Sequence, residues 1–182
     1  MQTEKQIVEA LKDGRREGQD AMIAAFAPQV FAMIARQVPD AMDAQELTQD
    51  TFLKAFRNID RYDARQSSLG TWLCRIAYHL TLDFLKRRRP VIVSLEDNSV
   101  WQTDISDEEL DDKFSTGNEQ RIERLQELVQ QLQDEKRMLL TLYYFDDRPL
   151  SEIAFITGIG EKALANRLYR IRKKLYKKLK AL

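Results

Sequence analysis

The sequence predicts an all-α protein: two small helical domains joined by an acidic flexible linker. Three observations carry that prediction. Apolar residues recur at intervals of three and four, no run alternates convincingly with period two, and acidic and basic charge gather in separate blocks. VIV at residues 91–93 is the one stretch that could pair briefly as an edge strand. With 43% hydrophobic and 32% charged residues, six Gly and four Pro in 182 residues, the composition excludes collagen-like, disulfide-rich and wholly disordered classes.

The elements follow in order. Ile7, Val8 and Leu11 mark a first short helix. The apolar run at residues 21–35 is interrupted by Pro28 and Gln29 and falls short of the ~20 residues needed to cross a bilayer, so it reads as a pair of core helices flanking Pro28 and not as an anchor. DAQELTQDTFLKAFRNI places Leu47, Thr51, Phe52, Ala55, Phe56 and Ile59 at helical spacing, with acids in the first turn, where the helix dipole favours them. RYDARQSSLGT is a polar loop. WLCRIAYHLTLDFLKRRR then repeats Trp72, Leu73, Ile76, Ala77, Leu80 and Phe84 along a second long helix that ends in basic residues before Pro90.

Residues 94–119 hold nine acids against one lysine and read as a tether, although Val100, Trp101, Ile105, Leu110 and Phe114 are apolar for a spacer and leave open a segment that orders on binding. A second folded unit begins near Gln120, with one helix on Leu125, Leu128, Val129 and Leu132 and another on Met138, Leu139, Leu142 and Tyr143. The domains are thus residues 1–90 and 120–182, with 91–119 as linker.

Function classes narrow by exclusion. One cysteine, Cys74, permits neither an intrachain disulfide nor a cysteine-cluster metal site from this chain alone, and fits a reducing cytoplasm. The N-terminal stretch lacks the apolar centre of a secretion signal, so a cytoplasmic location with no membrane insertion is expected. With one histidine, no Gly-rich phosphate loop after a strand and no HExxH-like cluster, no enzyme, metal or cofactor is expected.

The C-terminal charge is the positive signal. From Glu161 to Leu182 nine Lys or Arg stand against one acid, which suits a solvated helix face, a membrane-surface helix or a phosphate-binding element. The preceding residues favour DNA. PLSEIAFITGIGEKALANRLYRIRKKL has a helix carrying Ile153, Ala154 and Ile156, a turn in which Gly158 and Gly160 bracket Ile159 and supply permissive dihedrals, and a second helix. That is a helix-turn-helix pattern, whose second helix enters a major groove. Leu164, Leu168, Ile171, Leu175 and Leu179 form its buried stripe, and Lys162, Asn166, Tyr169, Arg170 and Lys173 its opposite face. Asn suits adenine, Arg suits guanine, and lysines suit phosphates.

The stretch DAQELTQDTFLKAF, with TWLCRIAYHLTLDFLKRRRP some 20 residues on, resembles region 2 of sigma-70 family factors, in particular the extracytoplasmic function (ECF) group. EIAFITGIGEKALANRLYRIRKKL is similar to their region 4. The resemblance covers roughly residues 20–90 and 120–180. It implies a non-enzymatic subunit that binds core RNA polymerase through its β′ and β subunits, recognises promoter DNA at −35 and −10 elements, and exists as a monomer when free. An anti-sigma factor is implied as a further partner. The rival is a helix-turn-helix regulator that binds duplex DNA without acting as a sigma factor.

Carried over by residue, the resemblance puts polymerase docking on Asp43, Ala44, Glu46, Leu47, Gln49 and Phe52, the last also reading as core. Gln45 and Glu46 stand where the family has Glu and Asp, and a phosphate on Thr48 or Thr51 would restore negative charge. The loop from Asp63 to Gly70 matches the family's base-capturing loop. The −10 contacts fall on Tyr62, Arg65, Gln66, Ser67, Ser68, Arg75, His79, Lys86, Arg87 and Arg88, with His79 replacing the family's Asn and Trp72 reading as core. The −35 contacts fall on Lys162, Ala165, Asn166, Arg167, Tyr169, Arg170 and Lys173, with Ala165 replacing a long cation.

Overall fold

The computed structural model of the chain describes residues 3–88 and 119–180, the side chains of 119–121 excepted. The VIV stretch, Trp101 and most of the acidic linker therefore lie outside the described residues. Those described form an all-α structure of eight helices.

Helix α1 (Glu4–Lys12) opens with a reciprocal cap in which the Gln6 amide donates to Thr3 Oγ1 and the Thr3 amide to Gln6 Oε1. It buries Ile7, Ala10 and Leu11 against α2 (Arg16–Ala35). Gly18 permits that contact, because a Cβ there would meet the Leu11 amide at 2.8 Å. The sequence predicts two helices flanking Pro28, but α2 runs through it unbroken. Proline removes one N–H and frees the carbonyl four residues earlier. Both Pro28 and Ala24 face solvent, so water can serve that carbonyl and the helix persists.

Asp40 caps α3 (Ala41–Arg57), accepting from the Met42 and Asp43 amides at 2.8 and 3.0 Å. Helix α4 (Leu69–Arg88) begins where Ser68 Oγ accepts from the Thr71 amide at 3.1 Å. Helices α5 (Glu119–Gln130) and α6 (Asp134–Leu140) follow, and α6 widens into a π-helical turn over Thr141–Phe145. Helix α7 (Leu150–Thr157) and α8 (Glu161–Lys180) complete the chain.

Leu69, Leu73, Ala77 and Leu82 of α4 are buried, and the helix packs on α2 and α3 as well as on α7. Helices α1–α4 and α5–α8 therefore meet through α4, and their buried side chains join in one hydrophobic core. Deleting the fully buried Leu73 side chain (Leu73→Ala) is expected to lower unfolding free energy by about 2–5 kcal/mol. Met42→Ala, at a position 81% exposed, should change it by less than about 0.5 kcal/mol. Urea denaturation of the two variants checks both.

Candidate nucleic-acid interface

The acidic helix α3 divides its side chains cleanly. Ala44, Leu47 and Phe52 face the core, so three of the six residues assigned to docking shape the helix's seat and do not reach its surface. Glu46 and Gln49 are exposed, and beside them stand two apolar residues that the motif did not single out, Met42 and Leu53, the latter 49% exposed. The Asp43 side chain is only 16% exposed, and both Nη atoms of Arg88 donate to its carboxylate. Arg88, expected on phosphates, also lies 4.5 Å over the Phe84 ring. Thr48 and Thr51 are buried and donate to the Ala44 and Leu47 carbonyls at 2.8 Å. A phosphate at either would require α3 to leave its seat.

The loop at residues 63–70 is largely occupied with itself. Asp63 receives the Arg65 amide and both arms of its guanidinium at 3.0 Å, and those bonds hold its carboxyl down to about 2. Tyr62, expected to meet a melted base, is buried: its hydroxyl donates to the Ser67 carbonyl at 3.1 Å and its ring lies 5.5 Å from that of Trp72. Gln66 donates to Asp63 and Ser68 caps α4.

The open space lies next to that loop. A cleft of about 240 Å³ is lined by Lys54, Asn58 and Arg61 from the end of α3 and its following turn, and by Trp72, Arg75 and His79 from α4. Trp72, expected in the core, is half-buried with its ring on this cleft. Lys54 lies in the last turn of α3, Asn58 caps its C-terminus and Arg61 ends the 3-10 turn that follows, so no single periodic pattern in the sequence marks the three together. Burial first, then the Arg75 cation, lowers the His79 pKa, favouring the neutral ring. The cleft thus combines cations, an amide, an imidazole and an indole face, a set that can hold a phosphate beside a stacked base. Lys86 and Arg87 are exposed further along α4.

At the other end, α7, the turn and α8 form a helix-turn-helix. Gly158 ends α7 in the left-handed region (φ 75°), its amide donating to the Ala154 carbonyl at 2.9 Å. Gly160 is not in that region, so only one of the two glycines supplies the special dihedral. Leu164, Leu168, Ile171 and Leu175 are buried as the stripe predicted. Lys162, Ala165, Asn166, Arg167 and Arg170 are exposed together on the first three turns of α8, and Tyr169 is half-buried. Lys173 departs from expectation. It is only 8% exposed, with its ammonium 5.6 Å from the Tyr169 ring centre, so it belongs to the packing of α8 and not to its open face.

An acidic surface helix, a basic aromatic cleft and a helix-turn-helix in one small chain agree with two family matches. Residues 22–91 match Sigma-70 region 2, and residues 122–175 match Sigma-70, region 4. The chain belongs to the sigma-70 family of RNA polymerase sigma factors. It is 26% identical over 188 aligned positions to the ECF RNA polymerase sigma factor SigW of Bacillus subtilis, covering 98% of this chain and 100% of that one. With the RNA polymerase sigma-H factor of Pseudomonas aeruginosa it shares 27% identity over 184 positions, covering 98% and 95%. The structure of CnrH in complex with the cytosolic domain of CnrY has the same fold, with a TM-score of 0.65 at 21% identity over 96% of each chain. Within the family the chain is an ECF-type factor, which binds core RNA polymerase and directs promoter recognition and transcription initiation. Among the described residues no helix is long and apolar enough to cross a membrane.

Cys74 lies in α4 beneath the α7 contact, and burial raises its thiol pKa to about 11. Iodoacetamide at pH 8 should therefore modify the folded protein far more slowly than the urea-unfolded chain, with intact-mass spectrometry following the adduct.

Proposed function

We propose that this ECF factor docks on the polymerase β′ subunit through the exposed face of α3, reads a −35 element with the first turns of α8, and holds a melted −10 base in the cleft between α3 and α4. The observation that carries the reading is the joint exposure of Lys162, Ala165, Asn166, Arg167 and Arg170 directly after the helix-turn-helix turn. Asn166 and Arg170 suit base edges there, while Lys162 and Arg167 suit the flanking phosphates. Ala165 and the half-buried Tyr169 offer apolar surface, suited to a thymine methyl.

On α3, Glu46 and Gln49 present polar groups to a basic partner helix, and Met42 and Leu53 add apolar contact that a purely acidic face would lack. In the cleft, Trp72 offers a stacking surface worth about 1–3 kcal/mol per base, with Arg75, Arg61 and Lys54 around it for the strand's phosphates. His79, favoured neutral, can both donate and accept at a base edge. The protein on this reading is a non-catalytic, cytoplasmic subunit needing no cofactor, monomeric when free, that contacts β as well as β′ and is held in check by an anti-sigma factor. A conventional duplex-binding regulator would account for α7 and α8 but leaves the region 2 match without a purpose.

Two measurements test it. Leu53→Glu should weaken binding to core polymerase at least tenfold in a fluorescence competition assay while leaving the melting temperature unchanged; undiminished binding would remove α3 from the docking role. In the reconstituted holoenzyme, Arg170→Ala should cost about 1–3 kcal/mol of discrimination at one −35 base pair, whereas Lys162→Ala should weaken all promoters alike. Gel-shift titration on promoters varied at each −35 position reads both.

A further inference from the structure

Helix α1 precedes residues 22–91, the stretch that matches region 2, and carries none of the residues assigned to polymerase or DNA. Its geometry nevertheless ties it to the −10 side of the molecule. The Thr3–Gln6 cap fixes its first turn, Ile7, Ala10 and Leu11 seat it on α2, and the close approach at Gly18 sets its distance from that helix. From this footing Glu4, the first residue of α1, reaches a partner 65 positions along the chain: its Oε2 accepts from the Leu69 amide at 3.1 Å.

At Leu69 the loop at residues 63–70 gives way to α4. The first amides of a helix have no partner within it, so they are met from outside. Ser68 Oγ takes the Thr71 amide at 3.1 Å, and α1 supplies the acceptor for Leu69. A carboxylate suits that place, since it makes a charge-assisted bond at the positive end of the helix dipole. Leu69 itself is fully buried, and the next residue lies against α2, where a Cβ on Gly70 would meet Phe26 Cε1 at 3.2 Å.

Helix α1 also packs on the 3-10 turn Ile59–Arg61, at the other end of the same loop. One helix thus braces both ends. Between them, burial first and then the Glu4 charge raise the Tyr62 pKa, which keeps the hydroxyl protonated for its bond to the Ser67 carbonyl. The consequence falls on the cleft. Arg61 belongs to the braced turn and Trp72 stands one helical turn beyond Leu69, so two of the cleft's walls, a cation and an indole face, take their places from what α1 holds. Stacking is sensitive to such placement: a gap of about 1 Å between packed atoms forfeits up to about half of their attraction.

We propose that Glu4 is a positioning residue for promoter opening: by accepting the first amide of α4 it holds the end of the loop and the Trp72 ring where a melted −10 base is captured. It acts through Leu69 and not by touching DNA. This rests on the −10 assignment above.

The test uses the full chain in reconstituted holoenzyme, on a promoter that the wild type selects, premelted over the −10 element and carrying an abasic site at each −10 position in turn. In the wild type one position should stand out, with loss of its base weakening binding about tenfold, as a lost stack does. In Glu4→Ala that penalty should shrink to about twofold or less, with binding to core polymerase and to a −35 duplex unchanged. Glu4→Gln, whose side-chain carbonyl can still accept from Leu69, should keep the wild-type penalty. A penalty retained in Glu4→Ala would overturn the proposal even if every template bound more weakly, because general loosening of the fold lowers all of them together. A penalty lost in Glu4→Gln as in Glu4→Ala would overturn it too, by removing the hydrogen bond as the cause. If the wild type has no sensitive position, or Trp72→Ala leaves the penalty intact, the −10 assignment itself fails and this proposal falls with it. Should Glu4→Ala misfold by circular dichroism, Glu4→Asp, which keeps the charge but is one methylene short of Leu69, takes its place with the same expected result.

Discussion

The structure depends on one constraint, that α4 be buried along two sides and polar along a third. Its Leu69, Leu73, Ala77 and Leu82 positions pack into the helices around it, and its neighbours on one side are α2 and α3 while α7 sits on another. Arg75 and His79 line the cleft at the margin of the α7 contact, where Arg75 lies 4.9 Å over the Phe155 ring. An amphipathic helix with a single apolar stripe would leave either the N-terminal core or the α7 seam unfilled. Both sides mix apolar and polar contacts: Arg88 of α4 pairs with Asp43 of α3, and Thr71 and Cys74 meet the Arg148 guanidinium beside α7. One helix therefore joins the two groups of helices in a single core.

Charge follows the same division. Formal neutrality in this chain is the sum of an acidic linker and a basic last helix, and the described residues add local pairings across the seam. Exposed ion pairs such as Lys86 with Glu135 contribute little and are screened by salt. Buried, hydrogen-bonded guanidinium groups set geometry more than they add stability. A seam of that composition fixes how the units meet.

Much of the fold was legible because helical periodicity is a local property. The α3 and α8 stripes, the α4 repeat and the turn before α8 all appear where the spacing of apolar residues places them. Pro28 was misleading since a proline breaks a helix only when the freed carbonyl has no alternative partner, and its solvent exposure depends on tertiary packing. The site was half legible. Motif positions such as Ala44, Leu47 and Phe52 mark the helix that docks, but side-chain direction separates seat from surface, and Met42 and Leu53 emerged only from exposure. Tyr62 and Lys173 are of residue types that suit DNA, yet Tyr62 is held inside by Ser67 and Trp72 of the adjacent loop and helix, and Lys173 packs along its own helix beside Tyr169. The hydrogen bonds from Arg148 to Thr71 and from Gln37 to Thr141 span 77 and 104 residues of sequence and leave no periodic trace.

The central claim is that these surfaces serve one act, bringing core polymerase to a two-part promoter. Run-off transcription tests it most directly, with the purified protein added to bacterial core polymerase on a genomic promoter library and the transcripts sequenced. The account predicts new transcripts that start at a fixed distance downstream of a shared two-part motif. It is contradicted if core polymerase gains no start sites while the protein alone retains specific duplexes, because the helix-turn-helix would then be acting without the docking helix.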